Sequence, residues 1–435
     1  MPNQRLLSLD VFRGLTIAFM ILVNNPGSWA TVYPPLLHAE WHGCTPTDWV
    51  FPFFLFIVGV AIPLSVGRRL ERGDGQGAIL RKVGFRVLTI FGLGLFLAAY
   101  PNFGMAADAP LLKLHYILLA IAMLAVFFRE ALHQKQFDRP RYHRLRRILG
   151  IAALIAAAGL VVIGLFAYDL GHLRFPGVLQ RIALVYGACS LLYLRLSWKG
   201  LLWATAGALL LYWLLMALVP VPGGYPPNLE PETNLGAWLD RTLMSGHLWS
   251  QSKTWDPEGL LSTLPAIGTG LLGVLTGMWI KLQRDAYQML TVLLATGAIL
   301  MALGLIWGPL FPINKKIWTS SYVLYTGGIA MLFLGVIFWL VDVLGIKAWA
   351  KPFIVYGTNP LFAYVLSGLL VKTFVNIEWE TADGAHNAWG WVYQHWFGPA
   401  FASPYNASLA FAIANVLACL AIVWVLYWRR IYIKV

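Results

Sequence analysis

The sequence predicts an all-α polytopic membrane protein with about twelve transmembrane helices and both termini in the cytoplasm. Three observations carry that expectation. Of the 435 residues, 59% are hydrophobic and only 12% are charged, whereas soluble domains carry roughly 25% charged residues. Apolar runs near the roughly 20 residues that cross hydrocarbon as a helix recur along the whole chain. Basic residues collect in alternate connectors, the positive-inside pattern. The net charge of +13 therefore reflects topology and argues against nucleic-acid binding.

Helix is the economical form for each run, because every backbone polar group must pair internally in lipid. The first candidate span, 9–25, follows Arg5 as a signal peptide would. It lacks a small-x-small cleavage site and contains Asp10 and Arg13, so it is read as a retained helix. The next spans are 49–66, 83–100, 112–128, 148–167 and 177–195. They are followed by 200–219, 261–280, 287–307, 320–342, 352–373 and 408–428. Breakers separate them: Pro34-Pro35, Pro101, Pro110, Pro140, the PVPGGYPP run at 220–227, Pro309, Pro312 and Pro404. The twenty Trp suit interfacial belts. Cys44, Cys189 and Cys419 form neither a CxxC pair nor a metal-binding spacing, and no metal is expected.

Loop charges set the orientation. Arg68, Arg69, Arg72, Arg81 and Lys82 form one basic cluster, Arg129 to Arg147 another. Arg195 with Lys199, and Arg429, Arg430 and Lys434, complete that side. The opposite loops are acidic, with Glu230, Glu232, Asp240, Asp256, Glu258, Glu378, Glu380 and Asp383. The connector 26–48 holds no Lys or Arg and is assigned to the outer face. It is also more polar than a connector needs to be, with His38, Glu40, His42 and Asp48. A neutral imidazole is the usual group for moving a proton near neutral pH, which makes His38 a candidate. Asp48 suits the N-terminus of the second span. Asn24 and Asn25, at the outer end of the first span, can donate to an oxyanion.

Asp10 and Arg13 share a helix face and are candidates because ionisable groups inside a span are costly. Further polar clusters are RFPGVLQR with Gln180 and Arg181, TWDPEG with Asp256 and Glu258, INKKIWTSSY with Asn314, Lys315 and Trp318, and YGTNPLFAY at 356–364. The same residues would serve as helix caps and interface anchors. Yet all but the last of these clusters gather on the outer side with His38.

The stretches SLDVFRG (8–14), VNN (23–25), HAEWHGCTPTDWVFPFFLFIVG (38–59), FPGVLQRIAL (175–184), WDPEGLLSTLPAIGTGLLGVLTG (255–277), INKKIWTSSYV (313–323) and GTNPLFAY (357–364) occur in this order. Together they resemble the heparan-α-glucosaminide N-acetyltransferase family and its bacterial relatives among the transmembrane acyltransferases. The resemblance implies a single transmembrane acyltransferase domain over 1–435, with an inserted helical hairpin at about 101–172. It implies acetyl transfer from cytosolic acetyl-CoA, a co-substrate, to the amine of a glucosamine-type sugar across the membrane. His38 takes the place of the catalytic histidine and Asn24 that of the family's asparagine, with Asn25 competing for that role.

Arg13, Lys82 and Arg86 flank the inner ends of the first and third spans and are the candidates for the CoA phosphates. Gln180, Arg181, Asp256, Glu258, Asn314, Lys315 and Trp318 are the candidates for the acceptor. The family's large lumenal N-terminal domain has no counterpart here, which points to a bacterial inner-membrane member and away from heparan as acceptor. A homodimer is also implied. The alternatives are an amino-sugar or N-acetylglucosamine transporter and a cell-wall glycan O-acyltransferase.

Overall fold

The structure is a computed structural model that describes residues 6–283, 285–381 and 384–433. Arg5, Asp383 and Lys434, which entered the charge pattern, lie outside these residues. Helix α1 (Leu7–Asn24) leads through short 3-10 turns into α2 (Val50–Glu71), followed by α3 (Gln76–Ala99). A hairpin of α4 (Leu112–Ala131) and α5 (Pro140–Ala167) comes next, then α6 (Val178–Arg195) and α7 (Trp198–Leu218). The short α8 (Leu235–Met244) precedes α9 (Thr263–Leu282), α10 (Ala286–Trp307) and α11 (Ser320–Phe338). The chain continues as α12 (Lys351–Thr358), α13 (Pro360–Asn376), strands β1 (Glu378–Thr381) and β2 (Gly384–Asn387), α14 (Ala388–Val392) and α15 (Pro404–Trp428).

Among the described residues, 11 helices are long and apolar enough to cross a membrane. A twelfth crossing forms if α12 and α13 count as one span, and that pair is bent by 78°. The expected straight span at 352–373 is therefore broken. Asn359 precedes Pro360 and is driven out of the helical region, to φ −130° and ψ 54°. Its side chain then binds the segment after α15, donating to Ile431 O at 3.0 Å and accepting from Ile433 N–H at 2.8 Å.

Helices without a hydrophobic driving force between them need small residues to pack closely. The α2–α9 crossing shows this. A Cβ on Gly59 would lie 2.0 Å from Gly270 O, and one on Gly273 would lie 2.1 Å from Phe56 O. Gly268, Gly270 and Gly273 have GxGxxG spacing, but mid-helix, where they serve packing. The α1–α12 contact is equally tight, with Gly14 against Phe353 O and Gly357 against Asp10 O. Arg13 bonds Asp10 Oδ1 at 3.0 Å and Gly357 O at 3.3 Å across that seam.

The α4–α5 hairpin stands apart from these seams. His115 is buried at its base, bonded to Tyr168 OH at 2.8 Å and Pro101 O at 2.7 Å. Leu154 and Phe166 on its outer side are exposed, as suits a lipid-facing surface. The connector at its other end hydrogen-bonds the segment after α15, from Gln134 to Tyr432 O and from Gln136 to Arg429 O.

The seam analysis predicts a contrast. Gly59→Leu or Gly273→Leu should destabilise the detergent-purified protein by roughly 1–3 kcal/mol or more, because backbone must move. Gly84→Leu and Gly207→Leu, where an added Cβ meets nothing within 4 Å, should leave it unchanged. Thermal unfolding followed by size-exclusion chromatography separates the two pairs.

Candidate active site

The connector before α2 is shaped around one carboxylate. Pro46 starts a 3-10 turn over Pro46–Trp49, with Thr45 as its cap. Asp48, in that first turn, reaches back as in a capping box. Its Oδ2 accepts from Thr45 N–H at 2.9 Å and Ala39 N–H at 3.1 Å. Its Oδ1 lies 2.7 Å from His38 Nδ1. The Asp48 side chain is completely buried, whereas that of His38 is 41% exposed. Tyr322 on α11 donates to the Asp48 carbonyl at 2.6 Å and ties the turn to the core. Because a carboxylate only accepts, Nδ1 carries the proton and the lone pair of His38 resides on Nε2. Lys315 Nζ lies 3.1 Å from Nδ1 and 3.2 Å from Nε2.

His38 opens into a cavity of about 300 Å³. Asn24, Asn25, Glu258, Lys315, Tyr364 and Lys372 also line it. A second cavity of about 540 Å³ shares Phe54 and Tyr364 with the first and includes Arg13, Arg69, Arg86 and Tyr186. A third, of about 440 Å³, shares Ser65, Arg69, Arg86 and Tyr186 with the second and adds Arg81 and Lys82. The three form a row between α1, α2, α3, α6 and α13, from His38 to the basic ends of α2 and α3. No carboxylate lines the second or third among the described residues. Arg69 NH1 is buried there without a hydrogen bond, and Asp74 lies 3.8 Å away. A guanidinium N–H that makes no hydrogen bond and only a long ion pair can still take an anionic ligand.

The expected acceptor residues divide into two groups. Glu258 and Lys315 face the His38 chamber. Gln180, Arg181, Asp256, Asn314 and Trp318 are buried behind it and do not line it. Arg181 donates to Gly259 O at 2.9 Å and to Ser262 Oγ at 2.5 Å, and its guanidinium lies over the Trp318 ring. Trp318 donates to Thr269 Oγ1 at 3.1 Å. Asn314 caps its own turn, accepting from Ile317 N–H at 3.1 Å. Asp256 takes a bidentate bond from Arg174, Nε to Oδ2 at 2.8 Å and NH2 to Oδ1 at 2.6 Å. Arg174 also holds Glu258 at 2.5 Å, which positions that carboxylate at the chamber wall. These side chains build the frame; their polarity reflects helix ends that need partners.

Burial decides which neighbours stay inert. It pushes the Cys44 thiol up to about 12, with the Asp48 charge adding to the effect, which disfavours the thiolate that a cysteine nucleophile needs. Burial also raises Asp240 to about 6. The amides of Asn24 and Asn25 donate to Met20 O at 2.9 Å and Ile21 O at 2.7 Å in their own helix, leaving each a second N–H. His42 lies 3.3 Å from Asn314 Nδ2 and does not line the chamber.

Arg69 and Lys372 escaped the sequence reading. Arg69 was one member of a basic run counted for topology. Lys372 stands inside an apolar span, a signal that marks a functional candidate.

Residues 5–222 match the model of a family described as a domain of unknown function, DUF5009. The chain is also similar to heparan-alpha-glucosaminide N-acetyltransferase of Mus musculus, 28% identical over 351 residues, covering 73% of this chain and 46% of that protein. The protein of the same name from Homo sapiens is 28% identical over 350 residues, with the same shares covered. The chain thus spans about half the length of the curated relatives it matches. With half of its length matched by the family model, this multi-pass membrane chain belongs to the DUF5009 family.

Proposed function

We propose that the chain is a transmembrane acetyltransferase that carries acetyl from cytosolic acetyl-CoA to the amine of a glucosamine-type sugar at the outer, His38 face. The single observation that supports it most is the row of cavities that runs from the His38–Asp48 pair to a basic mouth at the opposite ends of α2 and α3. CoA is polyanionic and cannot cross hydrocarbon, because an unpaired charge there is prohibitive. Arg69, Arg81, Lys82 and Arg86 would hold its phosphates at the mouth. Its uncharged arm would follow the middle cavity, and its thioester would reach His38. The curated relatives named as N-acetyltransferases support the reaction class. The charge pattern of the loops supports a cytoplasmic mouth and a periplasmic acceptor in a bacterial inner membrane.

Two routes use the same atoms. In direct transfer, His38 Nε2 takes a proton from the sugar ammonium. The freed amine attacks the thioester carbon, the C–N bond forms, the C–S bond breaks, and the departing thiolate takes up the proton that the nitrogen sheds as it becomes an amide. In the covalent route, Nε2 itself attacks, CoA leaves as the thiolate, and the acetyl-imidazole then passes acetyl to the amine. Asp48 fixes the tautomer that both routes need. Asn24 or Asn25 can use its second N–H on the oxyanion.

His38→Ala should lower acetyl transfer from acetyl-CoA to glucosamine by at least about 10²–10⁴-fold while the protein stays folded. Turnover close to wild type would exclude the assignment. A transporter, by contrast, would move labelled amino sugar into vesicles without acetyl-CoA.

Asp48→Asn should cut kcat by roughly 10²-fold or more through loss of the orienting carboxylate, with the KM for acetyl-CoA little changed. Steady-state kinetics in both substrates reads this directly.

Neutralising Arg69 and Lys82 together should raise the KM for acetyl-CoA on the order of tenfold and weaken its dependence on salt. The KM for glucosamine should not move.

A further inference from the structure

We propose that Lys315 is a catalytic residue whose ammonium pairs with the oxyanion formed when the thioester carbonyl is attacked beside His38. The proposal rests on the acyl-transfer reading above and adds a role to the site. Attack on the thioester carbon turns its C=O π bond into an oxygen lone pair, and that charge returns to C=O when the C–S bond breaks. No external reagent is consumed.

Geometry carries the assignment. Lys315 Nζ lies 3.2 Å from His38 Nε2 and donates to its lone pair in the resting site, so the ammonium turns to the carbonyl oxygen as that lone pair is taken up by the reaction. An oxygen on the carbon reacting there falls within its reach. The side chain is only 17% exposed, and it lines the chamber with His38. The ammonium is not captured by a carboxylate. Asp48 Oδ1, at 3.9 Å, is the one carboxylate within 4 Å among the described residues. Asp48 already accepts from His38, Ala39 N–H and Thr45 N–H. It balances the charge of Lys315 without occupying its N–H groups.

The backbone aims this lysine. Trp318 N–H binds Lys315 O at 3.1 Å and Thr319 N–H binds Asn314 O at 3.1 Å. Trp318 takes a left-handed φ of 53°, which closes the turn. Lys316, the next residue, is turned away, with Nζ bonded to Glu40 O and resting over Trp41 and Trp255. Consecutive lysines thus point to different tasks. The Asn24 and Asn25 amides each spend one N–H on their own helix. They bring no charge, whereas a preorganised cation stabilises developing negative charge directly.

A pH signature follows. The groups facing Lys315 are His38, Cys44 and Asp48 before α2, Lys316 beside it, Glu258 before α9 and Lys372 on α13. Burial lowers the Lys315 pKa, Asp48 and Glu258 oppose that, and Lys316 adds to it. The active form is the protonated one. Turnover should therefore fall as pH rises through this pKa, below the ordinary lysine range.

The test uses the full chain in detergent or nanodiscs, with acetyl-CoA and glucosamine varied independently across neutral to alkaline pH. Lys315→Met should lower kcat by about 10²–10³-fold. Both KM values should stay within roughly threefold, and the alkaline fall should vanish. Lys315→Arg, which stays charged at all working pH, should keep part of the activity and move the alkaline fall upward. A Lys315→Met enzyme with kcat within about threefold of wild type, or one changed only in the KM for glucosamine, overturns the proposal. If Lys315→Met does not fold, the Arg variant decides, and an unmoved alkaline fall overturns it. A wild-type protein that transfers no acetyl group sinks the acyl-transfer reading itself, a result distinct from any outcome at Lys315.

Discussion

The burial of the Asp48 carboxylate is the constraint from which the local structure follows. A buried carboxylate without partners costs several kcal/mol, so the chain around it must supply donors. It does so from both sides. Thr45 N–H and Ala39 N–H bend the connector back on itself, and His38 completes the set. The Tyr322 hydroxyl holds the same residue by its carbonyl. The position of His38 is therefore a by-product of solvating one anion. An imidazole held this way has one tautomer and little rotational freedom, which a general base or nucleophile needs.

Tight and loose helix contacts divide the bundle. Glycine seams let α2 meet α9, and α1 meet α12, at backbone distance. Those contacts leave no room for a ligand. Space remains on the other side of α2, beside its Phe54, where α3, α6 and α13 face it with Arg86, Tyr186 and Tyr364. The break at Asn359–Pro360 adds to that space, because Thr358 and Pro360 line the middle cavity where a straight helix would have continued. The rigid seams and the open row are thus two consequences of where small and bulky residues fall on α2.

Much of the architecture was legible because lipid leaves few choices. Every long apolar run had to be a helix, and the count of crossings followed. The broken crossing was less visible, since its apolar residues resume directly after Gly357-Thr358-Asn359 and the total length suits one span, although Asn359-Pro360 marks the bend. The short α8 and the β1–β2 hairpin were missed, being interfacial pieces too short for a clear period. At the site, His38 and Asp48 stood out by chemistry. The partition between chamber and frame did not. Arg181 and Lys315 are both basic residues near helix ends, yet one is sunk against Trp318 and the other lines the chamber. Only packing distinguishes a cation sunk in the frame from one that faces the chamber.

The row of cavities is also asymmetric in charge, and that asymmetry bears on direction. Cations crowd its far mouth, which shares Arg69 and Arg86 with the middle cavity; beyond those two the middle wall is largely apolar, with Arg13 bonded to Asp10. The chamber at the other end mixes Glu258 with Lys315, Lys372 and His38. A polyanion drawn to the mouth meets no further cluster of cations until the chamber, where Lys372 already donates to Leu97 O and Tyr100 O. Moving its phosphates inward would strip them of partners over an apolar stretch, whereas an uncharged arm loses nothing by entering. In the proposed reaction the middle cavity therefore acts as a charge filter. It admits the acyl-bearing arm and holds the phosphates at the mouth, so the group that crosses is the acetyl and not the nucleotide.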